Sequence, residues 1–165
     1  MQASDFDSVM LIQAACYSGD IPESRNSLQA KFDASSETCL IAQCEDQVLA
    51  YLFALPWLST APPSLNASTC HLPVNPDCLY LHDLSVSPHL RNTGAGAALV
   101  RMFFELQQQA GLPSACLVAV QNSAPFWRRF GFEVTQGDAV LAEKLASYGA
   151  DARFMQRQAT LTPVM

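Results

Sequence analysis

The sequence predicts a single mixed α/β domain covering residues 1–165, and three observations carry that prediction. Apolar residues at helical spacing alternate with short β-rich runs along the chain, rather than segregating into separate halves. Half of the residues are hydrophobic and 15% are charged, enough for one real core and against intrinsic disorder. At the centre a strand, a helix and a second strand follow one another, an order that implies a parallel pair joined by a right-handed crossover.

Taken in order, Phe6, Val9, Ile12 and Cys16 recur at helical spacing, with Ser4 and Asp7 as a capping-box-like start. A second helix is expected to begin near Ser24, with Leu28 and Phe32 on one face. Thr38–Cys44 and Val48–Leu55 are β-rich runs around the polar turn Glu45-Asp46-Gln47, which reads as a hairpin. The segment Pro56–Asp77 holds half of the ten prolines (Pro56, Pro62, Pro63, Pro73 and Pro76) and shows neither helical nor strand period. A loop of this length in a compact domain is usually functional or disordered, and Trp57 and Leu58 favour one packed against a site. Cys78–Ser87 reads as a strand ended by Pro88. Leu99, Met102, Phe103, Leu106 and Ala110 trace the apolar face of a helix, stopped by Gly111 and Pro113. Ala115–Val120 is all apolar, the mark of a strand buried on both faces. A short helix through Phe126 and Trp127 stops at Gly131, and Phe132–Thr135 and Ala152–Gln158 complete the chain as strands.

Composition removes several functions. A net charge of −6 argues against a nucleic-acid partner, which needs a basic face, and suits a cationic acceptor such as an amine. No apolar stretch approaches the roughly 18 residues of a membrane span, so no membrane association is expected. Met1-Gln2-Ala3-Ser4-Asp5 lacks the basic and apolar regions of a secretory signal, so the expectation is a cytoplasmic protein, monomeric or homodimeric. The six cysteines (Cys16, Cys39, Cys44, Cys70, Cys78, Cys116) form no Cys-x-x-Cys pair, and His71 and His89 have no metal spacing, so neither disulfide framework nor metal site is expected.

The segment that carries chemistry is Arg91-Asn92-Thr93-Gly94-Ala95-Gly96-Ala97, between the strand and the long helix. Gly94 and Gly96 let the backbone turn sharply and approach a ligand closely, while the free N–H groups of the following helix converge on one point. A pyrophosphate fits that point, with Arg91 adding a charge-assisted contact. A Walker loop is excluded because no Gly-Lys-Ser/Thr follows, and Leu99 stands where a Rossmann fingerprint has its third glycine.

Two blocks together resemble the Gcn5-related N-acetyltransferase (GNAT) superfamily. Leu84 to Gly96 resembles its Gln/Arg-x-x-Gly-x-Gly/Ala signature, and Asn122-Ser123-Ala124-Pro125-Phe126-Trp127-Arg128-Arg129-Phe130-Gly131-Phe132 resembles its Asn-x-x-Ala-x-x-Phe-Tyr-x-x-x-Gly-Phe block. The resemblance spans Leu81–Phe132. It implies a central mixed, mostly antiparallel sheet flanked by helices, with a splayed parallel strand pair holding acetyl-CoA as acyl donor. It further implies that Leu84, Ser85 and Val86 offer backbone groups to the pantetheine arm. Arg91, Asn92, Thr93, Gly94, Ala95, Gly96 and Ala97 would hold the pyrophosphate, and Asn122 would contact the arm.

Transfer to an amine requires a base, because the acceptor arrives as an ammonium ion. Strand period places Tyr80, His82, Leu84 and Val86 on one face and Leu81, Asp83 and Ser85 on the other, unless a bulge reverses them. Tyr80 and His82 match the paired histidines of the arylalkylamine N-acetyltransferases, with Tyr80 replacing the first. His82 is therefore the preferred base, Tyr80 a water-positioning hydroxyl or core residue, and the expected acceptor a small primary amine. An acyl-CoA-binding module without transfer is the alternative. Two departures accompany the resemblance. Trp127 replaces the tyrosine that would protonate the leaving thiolate, leaving Tyr80, Tyr148 or water for that role. Only Met1–Ala3 precede the first helix, where the superfamily has a strand.

Overall fold

The computed structural model describes residues 1–19 and 21–159. Helix α1 (Phe6–Cys16) follows a single 3-10 turn, and its cap is not the Ser4–Asp7 pair: the Asp5 carboxylate accepts the Gln2 N–H at 2.6 Å. Helix α2 (Arg25–Ala34) begins on Ser24, whose hydroxyl accepts the Ser27 N–H. Strands β1 (Leu40–Cys44) and β2 (Gln47–Trp57) form the hairpin, turning at Glu45-Asp46. Thr38 falls outside it, in a 3-10 turn, where its hydroxyl donates to the Ala54 carbonyl at 2.6 Å. Residues 58–77 form the long loop. The central unit is β3 (Cys78–Val86), α3 (Ala95–Gln109) and β4 (Ser114–Ala119), followed by α4 (Ala124–Arg128), β5 (Glu133–Val134), α5 (Ala139–Ala146) and β6 (Arg153–Gln158).

Two helical details depart from the periodicity. In α3 the buried residues are Leu99, Val100, Phe103 and Gln107, while Met102 is 48% exposed and Ala110 is exposed, so the apolar stripe is rotated by one position. Helix α5 escapes the sequence pattern because Leu141 is its one buried residue, too thin a stripe to register; Asp138 caps it, accepting the Leu141 N–H at 2.9 Å.

The strands pair in the order β1-β2-β3-β4-β6-β5, all antiparallel except the parallel pair β3–β4. Among the described residues no strand precedes α1, and β1 forms that edge of the sheet. On one face α3 packs over Leu52, Leu79, Leu81, Leu117 and Met155. On the other, α1 and α2 cover Tyr51 and Phe53, with Phe6 set edge-on to Phe53, and α5 covers Tyr80, Cys116 and Phe154. Each such fully buried large apolar side chain contributes about 1.5–3 kcal/mol.

A bulge in β3 decides which way the site residues face. Phe53 pairs with Asp83 and Ala54 with Leu81, so His82 is an extra residue with no partner on β2. The regular alternation expected for Tyr80, His82, Leu84 and Val86 is therefore broken. Leu79, Leu81, Leu84 and Val86 belong to the α3 side, whereas Tyr80 and Asp83 both lie on the α1 side.

Candidate functional site

A cleft of about 620 Å³ opens where the central parallel pair comes apart. The β3–β4 ladder ends at Leu81↔Leu117, although β3 continues to Val86 and β4 to Ala119. From Asp83 to Val86, β3 pairs on its β2 edge only, so the opposite edge presents main-chain groups to the cleft. Leu84, Ser85 and Val86 line it from one side, and Val118, Val120 and Gln121 from the other.

The phosphate end is built by the turn into α3. Gly94 sits at φ 91°, ψ −3°, and Asn92 at φ 67°, so the chain reverses through left-handed residues before the helix begins. The first helical bond runs from the Ala98 N–H to the Gly94 carbonyl at 2.9 Å, which leaves the amides of Ala95, Gly96 and Ala97 without helical acceptors. Arg91, Asn92, Gly94, Ala95, Gly96 and Ala97 all line the cleft. A Cβ on Gly96 would approach Val86 to 3.3 Å, so glycine there lets the helix sit tight on β3. These features fit a coenzyme A-type ligand: an anion site of free amides continuous with an open strand edge. Thr93 does not line the cleft, its hydroxyl donating instead to the Leu90 carbonyl at 2.6 Å. Asn122 is likewise outside the lining; it lies at φ 56°, and its N–H donates to Asp151 at 2.7 Å.

The other end of the cleft holds the ionisable groups. The His82 side chain is 1% exposed. Its Nε2 makes a short contact with Glu23 Oε1, while Nδ1 is buried with no hydrogen-bond partner among the described residues. Glu23 Oε2 accepts from Lys31 Nζ at 2.9 Å, Ser27 Oγ at 2.6 Å and the Asn66 N–H at 2.6 Å. Burial raises the Glu23 carboxyl, but the charge and hydrogen bond of His82, together with Lys31 and Ser27, outweigh it and hold the group well below its ordinary range. Gln13 clamps the Glu23 main chain through two bonds, of 2.9 and 3.0 Å. Neither Glu23 nor Lys31 stands out in the motifs. The available signal was Glu23, Ser27 and Lys31 at four-residue spacing, a polar row along a face that carries buried Leu28.

Asp83 is held separately, accepting from Tyr17 and Tyr51 hydroxyls at 2.7 Å each. Burial pushes its carboxyl up, with the two tyrosine donors opposing. Tyr80 lies beneath the cleft rather than in its lining, 1% exposed, and burial followed by the neighbouring Tyr148 drives its phenol well up. Tyr148 lines the cleft and donates to the Pro63 carbonyl at 2.8 Å, tying the long loop over this end. Trp127 lines the cleft at 7% exposure, edge-on to Phe126 and Phe132. All six cysteines are free; Cys116 is buried outside the lining, and burial pushes the Cys39 thiol up to about 12. Among the described residues no cluster of His, Cys, Asp and Glu could hold a metal ion, and no helix is long and apolar enough to cross a membrane.

The profile of the Acetyltransferase (GNAT) family matches residues 6–132. No curated protein sequence matches the chain. Among solved structures, it is similar to the GphF GNAT-like decarboxylase in complex with isobutyryl-CoA, at 15% identity and TM-score 0.75 over 96% of each chain. It is similar to the ribosomal-protein-S18-alanine N-acetyltransferase from Escherichia coli, at 14% identity and TM-score 0.65, over 96% of this chain and 90% of that one. The PaiA N-acetyltransferase from Thermoplasma acidophilum in complex with coenzyme A is similar at 13% identity and TM-score 0.65, over 96% of each chain. At these identities the likeness is one of fold.

Proposed function

Because this chain belongs to the acetyltransferase (GNAT) family, whose chemistry is acyl-CoA-dependent acyl transfer, we propose that it is an N-acetyltransferase moving an acetyl group from acetyl-CoA to a small primary amine. The observation that carries this reading is the continuity of the cleft. One wall is the open β3 edge at Leu84–Val86, and its end is the amide cluster at Ala95–Ala97, so a thioester and a pyrophosphate fit along a single path. Two of the similar structures, bound to isobutyryl-CoA and to coenzyme A, support a ligand of that type. In this reading β3 main-chain groups polarise the thioester carbonyl, Arg91 and the turn bind the phosphates, and His82 accepts the ammonium proton. Direct attack needs no covalent enzyme intermediate. The buried pair of Tyr80 and His82 favours an arylalkylamine-like or polyamine-like acceptor. A cytoplasmic setting accords with a free cytosolic amine.

The test is thiol release from acetyl-CoA across a panel of primary amines. Turnover on at least one amine is expected, with His82→Ala lowering kcat by about 100-fold or more while acetyl-CoA affinity stays within a few-fold. A second reading, acyl-CoA binding without transfer, is favoured by Trp127, whose indole supplies no practical acid for the thiolate. Tight acetyl-CoA binding with no turnover on any amine selects it.

A further inference from the structure

The His82 ring is tethered at one nitrogen and free at the other. Nε2 meets Glu23 Oε1, and Nδ1 is a buried polar atom with no partner among the described residues. A carboxylate only accepts hydrogen bonds, so the contact with Glu23 requires the proton to sit on Nε2. In the neutral form of the ring, the one able to accept a proton, that leaves the lone pair on Nδ1. Lys31, 2% exposed and bonded to both Glu23 and Ser27, already balances the carboxylate charge. Glu23 is in turn fixed on every side: by Ser27, by the Asn66 N–H from the long loop, and through its main chain by Gln13. A buried, unpaired acceptor is costly, at about 1–3 kcal/mol, and such atoms in native proteins generally meet a ligand or an ordered water.

We propose that Glu23 is the positioning residue for His82, fixing the tautomer that makes Nδ1 the atom that takes the proton from the acceptor ammonium. This rests on the reading of His82 as the base. One ammonium proton passes to Nδ1, directly or through one water, and on to solvent. The amine nitrogen then forms the C–N bond, the C–S bond breaks, and the second proton lost by nitrogen ends on the thiolate. While Nδ1 carries the extra proton, the Nε2–H remains bonded to Glu23, whose negative charge stabilises the imidazolium. Lys31 positions Glu23 and does not touch the acceptor. No part of this arrangement is encoded by the phosphate turn, so it is a property of the α1–α2 connection.

Two measurements test it. The first needs no substrate: long-range 15N–1H spectra of the protein, with the His82 signals identified by their loss in His82→Gln. The Nε2–H tautomer is expected in the wild type, and the Nδ1–H tautomer there overturns the proposal. The second is steady-state kinetics on Glu23→Gln and Glu23→Asp, with acetyl-CoA binding verifying the fold. Glu23→Gln should lower kcat by about 10- to 100-fold, with acceptor KM within about threefold, and the shorter carboxylate of Glu23→Asp should restore part of the loss. Wild-type turnover with Glu23→Gln equally active refutes the role of Glu23 while leaving the acetyltransferase reading in place. Absence of turnover in the wild type removes that reading instead, and the tautomer spectrum still reports on the Glu23–His82 pair.

Discussion

Lys31→Met breaks the buried ion pair at the acceptor end of the cleft without touching the residues that line its phosphate end. Lys31 and Glu23 are 2% and 4% exposed, and the ammonium makes bonds of 2.9 Å to Glu23 and 2.8 Å to Ser27. Removing one member of such a pair leaves the other charged in a low-dielectric interior, which costs about 3–5 kcal/mol. Glu23 keeps Ser27, the Asn66 N–H and His82, so the lower end of that range, about 3 kcal/mol, is expected. For a domain of this size that corresponds to a fall in Tm of roughly 6–12 °C. Equilibrium urea unfolding followed by fluorescence of Trp57 and Trp127 measures it, with Lys144→Met as the control expected within about 0.5 kcal/mol of wild type. The pH dependence carries a sign. The folded Glu23 carboxyl lies below its ordinary 4.5, so its stabilisation is complete above that value and is lost as pH falls through the folded one. Lys31→Met removes one of the causes holding the carboxyl down, so the variant takes up its proton at higher pH. The gap between wild type and variant should therefore narrow on acidification. A loss below about 1 kcal/mol, the range of exposed pairs, or a gap that widens as pH falls, would refute the reasoning.

Four further outcomes are expected. Gly94→Ala forces a side chain to φ 91°, with nothing within 4 Å to clash, so the cost is backbone strain of about 1–2 kcal/mol and acetyl-CoA binding by calorimetry should weaken about 5- to 30-fold. Gly111→Ala, at φ 65° beyond the far end of α3, should lose similar stability with unchanged affinity. Trp127→Tyr should raise thiol release several-fold by supplying a phenol at the cleft, whereas Trp127→Phe should not; equal rates for both would show that thiolate protonation does not limit turnover. The folded Asp83 carboxyl lies above its ordinary 3.8, so the folded chain holds that proton more tightly and stability falls as pH rises through the window above 3.8. Asp83→Asn removes that term, so the Tm of the variant relative to wild type should climb with pH; a constant difference contradicts the burial assigned to Asp83.

Much of the fold was legible because it rests on local signals. Gly94 and Gly96 demand a turn, Gly111 and Pro113 stop a helix, and the all-apolar run in β4 reads as a buried strand whatever surrounds it. The misses come from weak or non-local signals. Helix α5 buries one residue and so leaves no stripe, and the cap of α1 falls to Asp5 rather than to Ser4 and Asp7.

The turn that gathers the Ala95–Ala97 amides, and the strand-helix-strand order that brings a parallel pair beside it, are written locally in the chain. Both depend on residues within a few positions of one another, where steric and hydrogen-bonding rules act directly. Which way the histidine strand faces follows from the folded sheet, because the bulge at His82 is set by pairing with β2 and reverses every side chain after it. The same packing brings Glu23 to His82 across 59 residues of chain and sets Lys31 against Glu23. Burial of that charged cluster is a property of the packed sheet and helices, where the partners of an ion are chosen by three-dimensional proximity.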